Sequence, residues 1–256
     1  MTELLQVTGL GKRFGGVQAV ADVGFALRRG EVLALIGPNG AGKTTTFNML
    51  NGQLRADAGS ALLNGTELVG KLPRDIWRLG VGRTFQIAET FASLTVVENV
   101  QMALLSAAGR VFRLWQKAAD FQRQQALDLL ALVGMQEQAE RACSELAYGD
   151  VKRVELAIAI AHQPALLLMD EPTAGMAAAE RHQLMALTQR LAREREMAVL
   201  FTEHSMDVVF AYADRIIVLA RGRLIAEGTP DEVRHNPEVQ AVYLGKGQTY
   251  DSEEAA

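Results

Sequence analysis

Apolar residues recur along this chain with two different periods. Residues 31–36, Glu-Val-Leu-Ala-Leu-Ile, are almost wholly apolar and run straight into glycines, which predicts a short strand buried on both faces. Residues 165–169, 198–202 and 215–219 read the same way. Residues 4–8, 23–27, 61–64 and 81–86 are further strand material, and Arg221-Gly222 is a turn into residues 224–226. Helical spacing runs through residues 43–50, 96–106, 121–133, 151–162, 178–195 and 206–213. Strands alternating with helices predict an α/β core around a largely parallel sheet. Residues 87–144 or so read as a helical insertion between two strand-bearing halves. Residues 247–256 are polar and acidic, as a loose tail would be.

Composition narrows the classes. The 256 residues are 49% apolar, enough for one well-cored domain carrying a smaller insertion. A net charge of −4 is not that of a nucleic-acid binder. Cys143 is the single cysteine, so no internal disulfide forms, which fits a reducing compartment. The start, Met-Thr-Glu-Leu-Leu-Gln, lacks the basic residues and apolar run of a signal peptide. No apolar run approaches the roughly 18 residues of a membrane span. The chain reads as soluble in itself, with any membrane role reached through a partner.

Candidate chemistry starts at Gly37-Pro38-Asn39-Gly40-Ala41-Gly42-Lys43-Thr44, which matches G-x-x-x-x-G-K-[ST]. The pattern follows a buried strand and opens a helix, the setting it requires. Its glycines let successive N–H groups turn inward around phosphates. Lys43 brings a point charge to the β and γ phosphates, the Thr44 hydroxyl can ligate Mg²⁺, and the helix N-terminus adds a favourable dipole. Further on, an apolar strand ends in Asp170-Glu171. Asp170 can hold Mg²⁺, and Glu171 can polarise a water for attack on the γ-phosphate. The cofactors predicted are therefore ATP and Mg²⁺.

Between these motifs, Leu146-Ala147-Tyr148-Gly149-Asp150 resembles the signature of the ABC transporter ATPases, usually Leu-Ser-Gly-Gly-Gln. Arg83-Thr84-Phe85-Gln86 resembles their glutamine loop and Thr202-Glu203-His204 their switch-histidine loop. Phe14 sits where the family stacks an aromatic on adenine, and Thr45 closes the phosphate motif. The resemblance spans nearly the whole chain. It implies a P-loop NTPase core with a mainly parallel sheet, N-terminal antiparallel strands, a helical subdomain over about 87–150 and a C-terminal extension over about 228–256. It also implies roles. Gln86 would contact Mg²⁺ or the attacking water, His204 would hold the γ-phosphate, and residues 147–150 would complete the site of a second ATPase subunit. A lone histidine or glutamine would mean little without the motif set; His162, His182 and His235 lack that context and read as structural or exposed. Phe14 could instead be a core residue.

A finer resemblance is to the branched-chain amino acid importer ATPases, the longer of their two ATPase subunits. It is carried by Phe47-Asn48, Leu94-Thr95-Val96 with Glu98-Asn99, Ala174-Gly175-Met176, Glu203-His204 with Met206, and Asn236-Pro237-Glu238-Val239 with Tyr243-Leu244-Gly245. That likeness implies a second ATPase subunit (the same or different), two membrane-spanning permeases, a periplasmic solute-binding protein reached indirectly, no nucleic acid, and a place at the cytoplasmic face of the cell membrane. The ATPases of lipopolysaccharide export resemble this chain too, but the spacer near 105–121 and the Tyr243-Leu244-Gly245 segment favour the importer. A soluble ABC protein acting on DNA or ribosomes would carry coiled-coil or zinc insertions or paired ATPase domains, and the sequence has none. Three departures stand out. Ala147 replaces the signature serine, Asp150 replaces its glutamine, and Ala177 stands where many relatives have Asp.

Overall fold

The computed structural model describes residues 3–84, 90–108 and 122–244, the side chains of residues 243 and 244 excepted. Gln86, most of the spacer after Ser106 and the acidic tail lie outside the described residues.

Two sheets form the core. The larger contains β3 (Val32–Ile36), β6 (Val81–Thr84), β7 (Leu166–Asp170), β8 (Ala198–Thr202), β9 (Arg215–Ala220) and β10 (Arg223–Gly228), ordered β10-β9-β3-β8-β7-β6. All its pairings are parallel except that of β10 with β9. The smaller sheet is antiparallel, ordered β2-β1-β4-β5, with β1 (Glu3–Phe14), β2 (Val17–Arg28), β4 (Ala58–Leu63) and β5 (Thr66–Glu67).

The apolar runs of β3, β7 and β8 are explained by two cores, one on each face of the large sheet. Leu33, Leu35, Leu166, Leu168, Ala198 and Leu200 face one core, shared with the small sheet and with Phe47, Met49 and Leu50 of α1 (Lys43–Leu50). Ala34, Ile36, Leu167, Met169, Val199 and Phe201 alternate with them and face the other. That second core is closed by α3 (Val96–Ala107), α4 (Arg123–Leu132), α5 (Tyr148–Ile160), α6 (Ala178–Glu194) and α7 (Met206–Tyr212). Period-two strands thus spend every side chain on burial, which is why their polar positions, Asp170 and Thr202, stand only at the carboxyl ends.

Helix α3 begins at a capping box in which Thr95 Oγ1 accepts from Glu98 N at 3.3 Å and Thr95 N donates to Glu98 Oε2 at 2.8 Å. The buried Asn99 then pins the preceding loop, donating to Phe91 O at 3.1 Å and accepting from Phe91 N at 2.8 Å. The same amide reaches the buried Cys143 Sγ at 3.1 Å, and burial pushes that thiol's pKa up.

Some expectations shift. β1 and β2 are far longer than the apolar runs that announced them, because register shifts at Leu10 and Lys12 break the alternation that a sequence reading follows. Helix α2 (Pro73–Arg78) was not expected; Pro at its first turn starts it, and it buries only Ile76. α5 starts at Tyr148, three residues before the expected start, so residues 148–150 form its first turn. The chain closes with α8 (Pro230–Arg234) and α9 (Pro237–Leu244), which pack on β10 and the end of β9.

Candidate nucleotide site

The site lies at the carboxyl ends of β3, β7 and β8, where ligands of parallel α/β sheets gather. The buried β3 ends at Ile36, and Gly37 turns the chain with φ 154°. A Cβ on Gly37 would lie 2.2 Å from the Leu219 carbonyl of β9. Gly42, the N-cap of α1, has φ 105°, and a Cβ there would lie 2.6 Å from the Ala19 carbonyl of β2. Both glycines are therefore demanded by close backbone approach as well as by conformation. The loop is also wired to its surroundings: Gly222 N donates to Ala41 O at 3.0 Å, and Ala21 N donates to Gly222 O at 2.7 Å.

Inside this loop sits Lys43. It is buried, and its Nζ donates to Gly37 O at 2.7 Å and to Pro38 O at 3.3 Å. Burial lowers its pKa, while the negative charges of Glu171 and Asp170 oppose that fall. Asn39, Gly40 and Thr44 are exposed, Pro38 and Thr45 half-buried, and Ala41 buried.

Asp170 closes β7 and is buried; its Oδ1 accepts from Thr202 Oγ1 at 2.8 Å, and its Oδ2 lies 3.9 Å from Arg83. Arg83 is steered there by Gln53 Oε1 at 2.7 Å and Asn48 Oδ1 at 3.4 Å. The next residue, Glu171, adopts φ 50°, a left-handed conformation uncommon outside glycine. Its N–H reaches Thr202 O at 3.2 Å and Thr202 Oγ1 at 3.1 Å. Its carboxylate Oε1 lies 2.8 Å from His204 Nε2. His204 is itself set by Glu203, whose buried carboxylate accepts from His204 N at 3.1 Å, from Thr173 N at 2.9 Å and from Thr173 Oγ1 at 2.5 Å. The chain thus gathers Lys43, Asp170, Glu171 and His204, while Thr202, marked in the sequence only as part of the histidine-loop motif, joins the two acids.

Phe14 is no core residue: it is 49% exposed at the tip of the β1–β2 hairpin. Lys12 Nζ lies 5.7 Å from its ring centre and is anchored on Asp57 at 2.8 Å. That anchor, with the Arg13 N–H, holds the Asp57 carboxyl below the usual range.

The signature-like segment forms the start of α5. Ala147 is the N-cap and offers no side-chain cap; Tyr148 is exposed, with Lys152 Nζ 5.6 Å from its ring centre. A Cβ on the buried Gly149 would meet the Glu180 carboxylate at 3.0 to 3.2 Å, and one on Gly175 would touch Tyr148 at 3.5 Å. Asp150 is half-buried in the first turn. None of the hydrogen bonds or ring contacts described for residues 147–150 reaches the phosphate loop. The remaining histidines are structural: His162 stacks on Trp77 at 4.5 Å with its pKa lowered by burial, His182 bridges Tyr212 and Asp207 at 3.2 Å each, and His235 bonds Asp231 O at 2.8 Å.

A nucleoside triphosphate fits this arrangement. The cradle is one that a Cβ would fill, with a buried ammonium at its centre and a buried carboxylate beside it. Mg²⁺ fits only together with phosphate: among the described residues no three or more His, Cys, Asp or Glu side chains group as a metal site. A carboxylate and a threonine hydroxyl next to phosphate oxygens are the donors this ion takes.

Comparison with known proteins shows the family and the fold. The ABC transporter family profile matches residues 20–174, and that of the branched-chain amino acid ATP-binding cassette transporters matches residues 223–248. The high-affinity branched-chain amino acid transport ATP-binding protein LivG of Salmonella typhimurium is 42% identical over 250 residues, covering 95% of this chain and 98% of that protein. BraF of Pseudomonas aeruginosa, described in the same terms, is 38% identical over the same shares. Among solved structures, the ADP conformation of an ATP-binding cassette of an ABC transporter superposes with a TM-score of 0.86 at 28% identity, covering 96% of this chain and 100% of that one.

Proposed function

The chain belongs to the ABC transporter ATP-binding proteins, and on that premise we propose that it powers an importer of branched-chain or related amino acids. The observation that carries the catalytic half is the Glu171–His204 pair beside the Lys43 loop. The import half rests on the branched-chain profile at residues 223–248 and on relatives matched along their whole length.

Under this reading each residue has a task. N–H groups of residues 37–45 other than Pro38, with Gly40 and Ala41 at the loop's crest, wrap the phosphates. Lys43 Nζ leaves Gly37 O and Pro38 O for phosphate oxygens, exchanging neutral acceptors for charged ones. Thr44 and Asp170 would hold Mg²⁺, with Gln86 as a further contact, and the ion would supply positive charge against the phosphates. Glu171 accepts the proton of the attacking water, and His204 Nε2 exchanges the Glu171 carboxylate for the γ-phosphate. Phe14 stacks on the adenine. The start of α5, Ala147 to Asp150, with Ala147 and Tyr148 exposed, faces a second ATPase subunit and completes that subunit's site. Domain organisation follows: one ABC ATPase domain with a helical subdomain over about 87–150 and an extension over about 228–256. Among the described residues no helix is long and apolar enough to cross a membrane, so attachment at the cytoplasmic face runs through permease subunits. A solute-binding protein acts beyond them.

The test is reconstitution with candidate permeases in vesicles. Stimulation of ATPase by a binding protein loaded with leucine, isoleucine or valine is the expected result. Stimulation by lipopolysaccharide instead, or by neither, would overturn the import assignment.

A further inference from the structure

We infer that Thr202 is a positioning residue for ATP hydrolysis, one hydroxyl that holds both acids of the site at once. A threonine hydroxyl has one hydrogen to give and lone pairs to receive with. Here both capacities are used. Oγ1 gives its hydrogen to Asp170 Oδ1 at 2.8 Å and receives the Glu171 N–H at 3.1 Å. Parallel pairing sets Thr202 directly beside Asp170, so the reach is built into the sheet.

The position would otherwise suit an apolar side chain. Residues Ala198 to Phe201 are buried and apolar, and Thr202 is itself fully buried. A hydroxyl placed there is costly unless bonded, and among the described residues its partners are both at the end of β7. Its two bonds do different things. The one to Asp170 fixes the carboxylate's rotation, with Oδ1 taken and Oδ2 turned toward Arg83 at 3.9 Å. The one to Glu171, together with the Thr202 carbonyl at 3.2 Å, stabilises the left-handed backbone that brings the Glu171 carboxylate to His204. Removing the hydroxyl therefore loosens metal binding and water activation together. None of the bonds described for Thr202 reaches the phosphate loop, so metal-free nucleotide binding is spared.

This inference rests on Asp170 being the metal-holding acid, and the experiment separates the two claims. The probe is Mn²⁺, titrated into the ADP-saturated protein and followed by electron paramagnetic resonance, with ADP affinity measured separately in EDTA. Thr202→Val keeps the side chain's shape without its hydroxyl; Thr202→Ser keeps the hydroxyl. Thr202→Val should weaken Mn²⁺ binding by about 10- to 100-fold, the usual effect of losing a partner that orients a metal ligand. Thr202→Ser should retain wild-type affinity, and ADP binding in EDTA should not change in either. Steady-state ATPase should show a lower kcat with KM for ATP nearly constant. If Thr202→Val does not fold, Thr202→Ser against Thr202→Ala gives the same contrast. Wild-type Mn²⁺ affinity in the variant that lacks the hydroxyl overturns the inference. If Asp170→Asn also leaves Mn²⁺ affinity intact, the reading of Asp170 falls with it; if Asp170→Asn alone weakens it, only the role of Thr202 falls.

Discussion

His204 Nε2 and Glu171 Oε1 stand 2.8 Å apart, so the switch-loop histidine is bonded to the acid that follows β7. The same carboxylate also acts by its charge on Lys43 of the phosphate loop. Glu171→Gln keeps the shape but cannot take a proton. Hydrolysis should fall by about 10² to 10⁴ while ATP still binds, measured by phosphate release alongside equilibrium nucleotide binding. Normal turnover in that variant would remove Glu171 from the mechanism.

Lys43 carries a second expectation. Burial depresses its pKa against the pull of Glu171 and Asp170. Below the depressed value both folded and unfolded chains hold the proton, and the folded state bears the full cost of a buried charge. Between that value and the ordinary lysine value the unfolded chain binds more protons, so stability rises with pH. Lys43→Met has no proton to lose and so lacks this pH dependence. Denaturant unfolding at pH 7 and pH 10 should show wild type gaining on Lys43→Met as pH rises, and the variant should lose its ATP-induced thermal shift. A pH-independent difference would contradict the assignment of a charged, desolvated Lys43.

Ala177 is the N-cap of α6 and supplies no side-chain acceptor; the only reciprocal bond is Ala177 N to Glu180 Oε2 at 3.3 Å. Ala177→Asp should stabilise the protein by about 1 kcal/mol by accepting a first-turn N–H. That corresponds to a rise in Tm of about 2 to 4 °C, readable by thermal melting. No rise would mean that the loop before α6 moves away from cap geometry.

The signature face is the fourth case. Ala147 lacks a hydroxyl and Asp150 adds a negative charge at the start of α5. Under the proposed function, in a complex that pairs this chain carrying Glu171→Gln with a different ATPase subunit keeping its own catalytic acid, the site completed by this chain's α5 is the one that should stay active. Ala147→Ser with Asp150→Gln should raise that site's rate by about tenfold, the worth of one bond to a charged group. An unchanged rate would show that this face is not used in the way its position suggests.

Much of this was legible beforehand because the chemistry sits in local runs. The phosphate loop, the strand ending in Asp170-Glu171 and the strand ending before Glu203-His204 each declare themselves within ten residues. β8 matches its expected bounds, and β3 and β7 fall within one residue, since in these fully buried strands polar residues stand only at the ends, at Asp170 and Thr202. The small sheet was harder. Register shifts along β1 hide its length, and a short helix such as α2, with one buried residue, leaves almost no period to read. The role of Thr202 was missed for another reason. Its role exists only through its pairing with Asp170, 32 residues away in the chain, and no spacing rule announces a cross-strand hydroxyl.

The backbone bonds from Ala41 through Gly222 to Ala21 have a consequence for what enters the site. They couple the crest of the phosphate loop to the hairpin that carries Phe14, and the close fit of Gly42 against Ala19 stiffens the join. Under the proposed function, with Phe14 on the base, ring and cradle would act as the two jaws of one gauge. Such a gauge selects by the span between base and phosphate chain, and a stacked ring reads the face of a base and not its edge. Discrimination between ATP and GTP should accordingly be slight, with triphosphate length, more than base identity, setting which nucleotide drives the transporter.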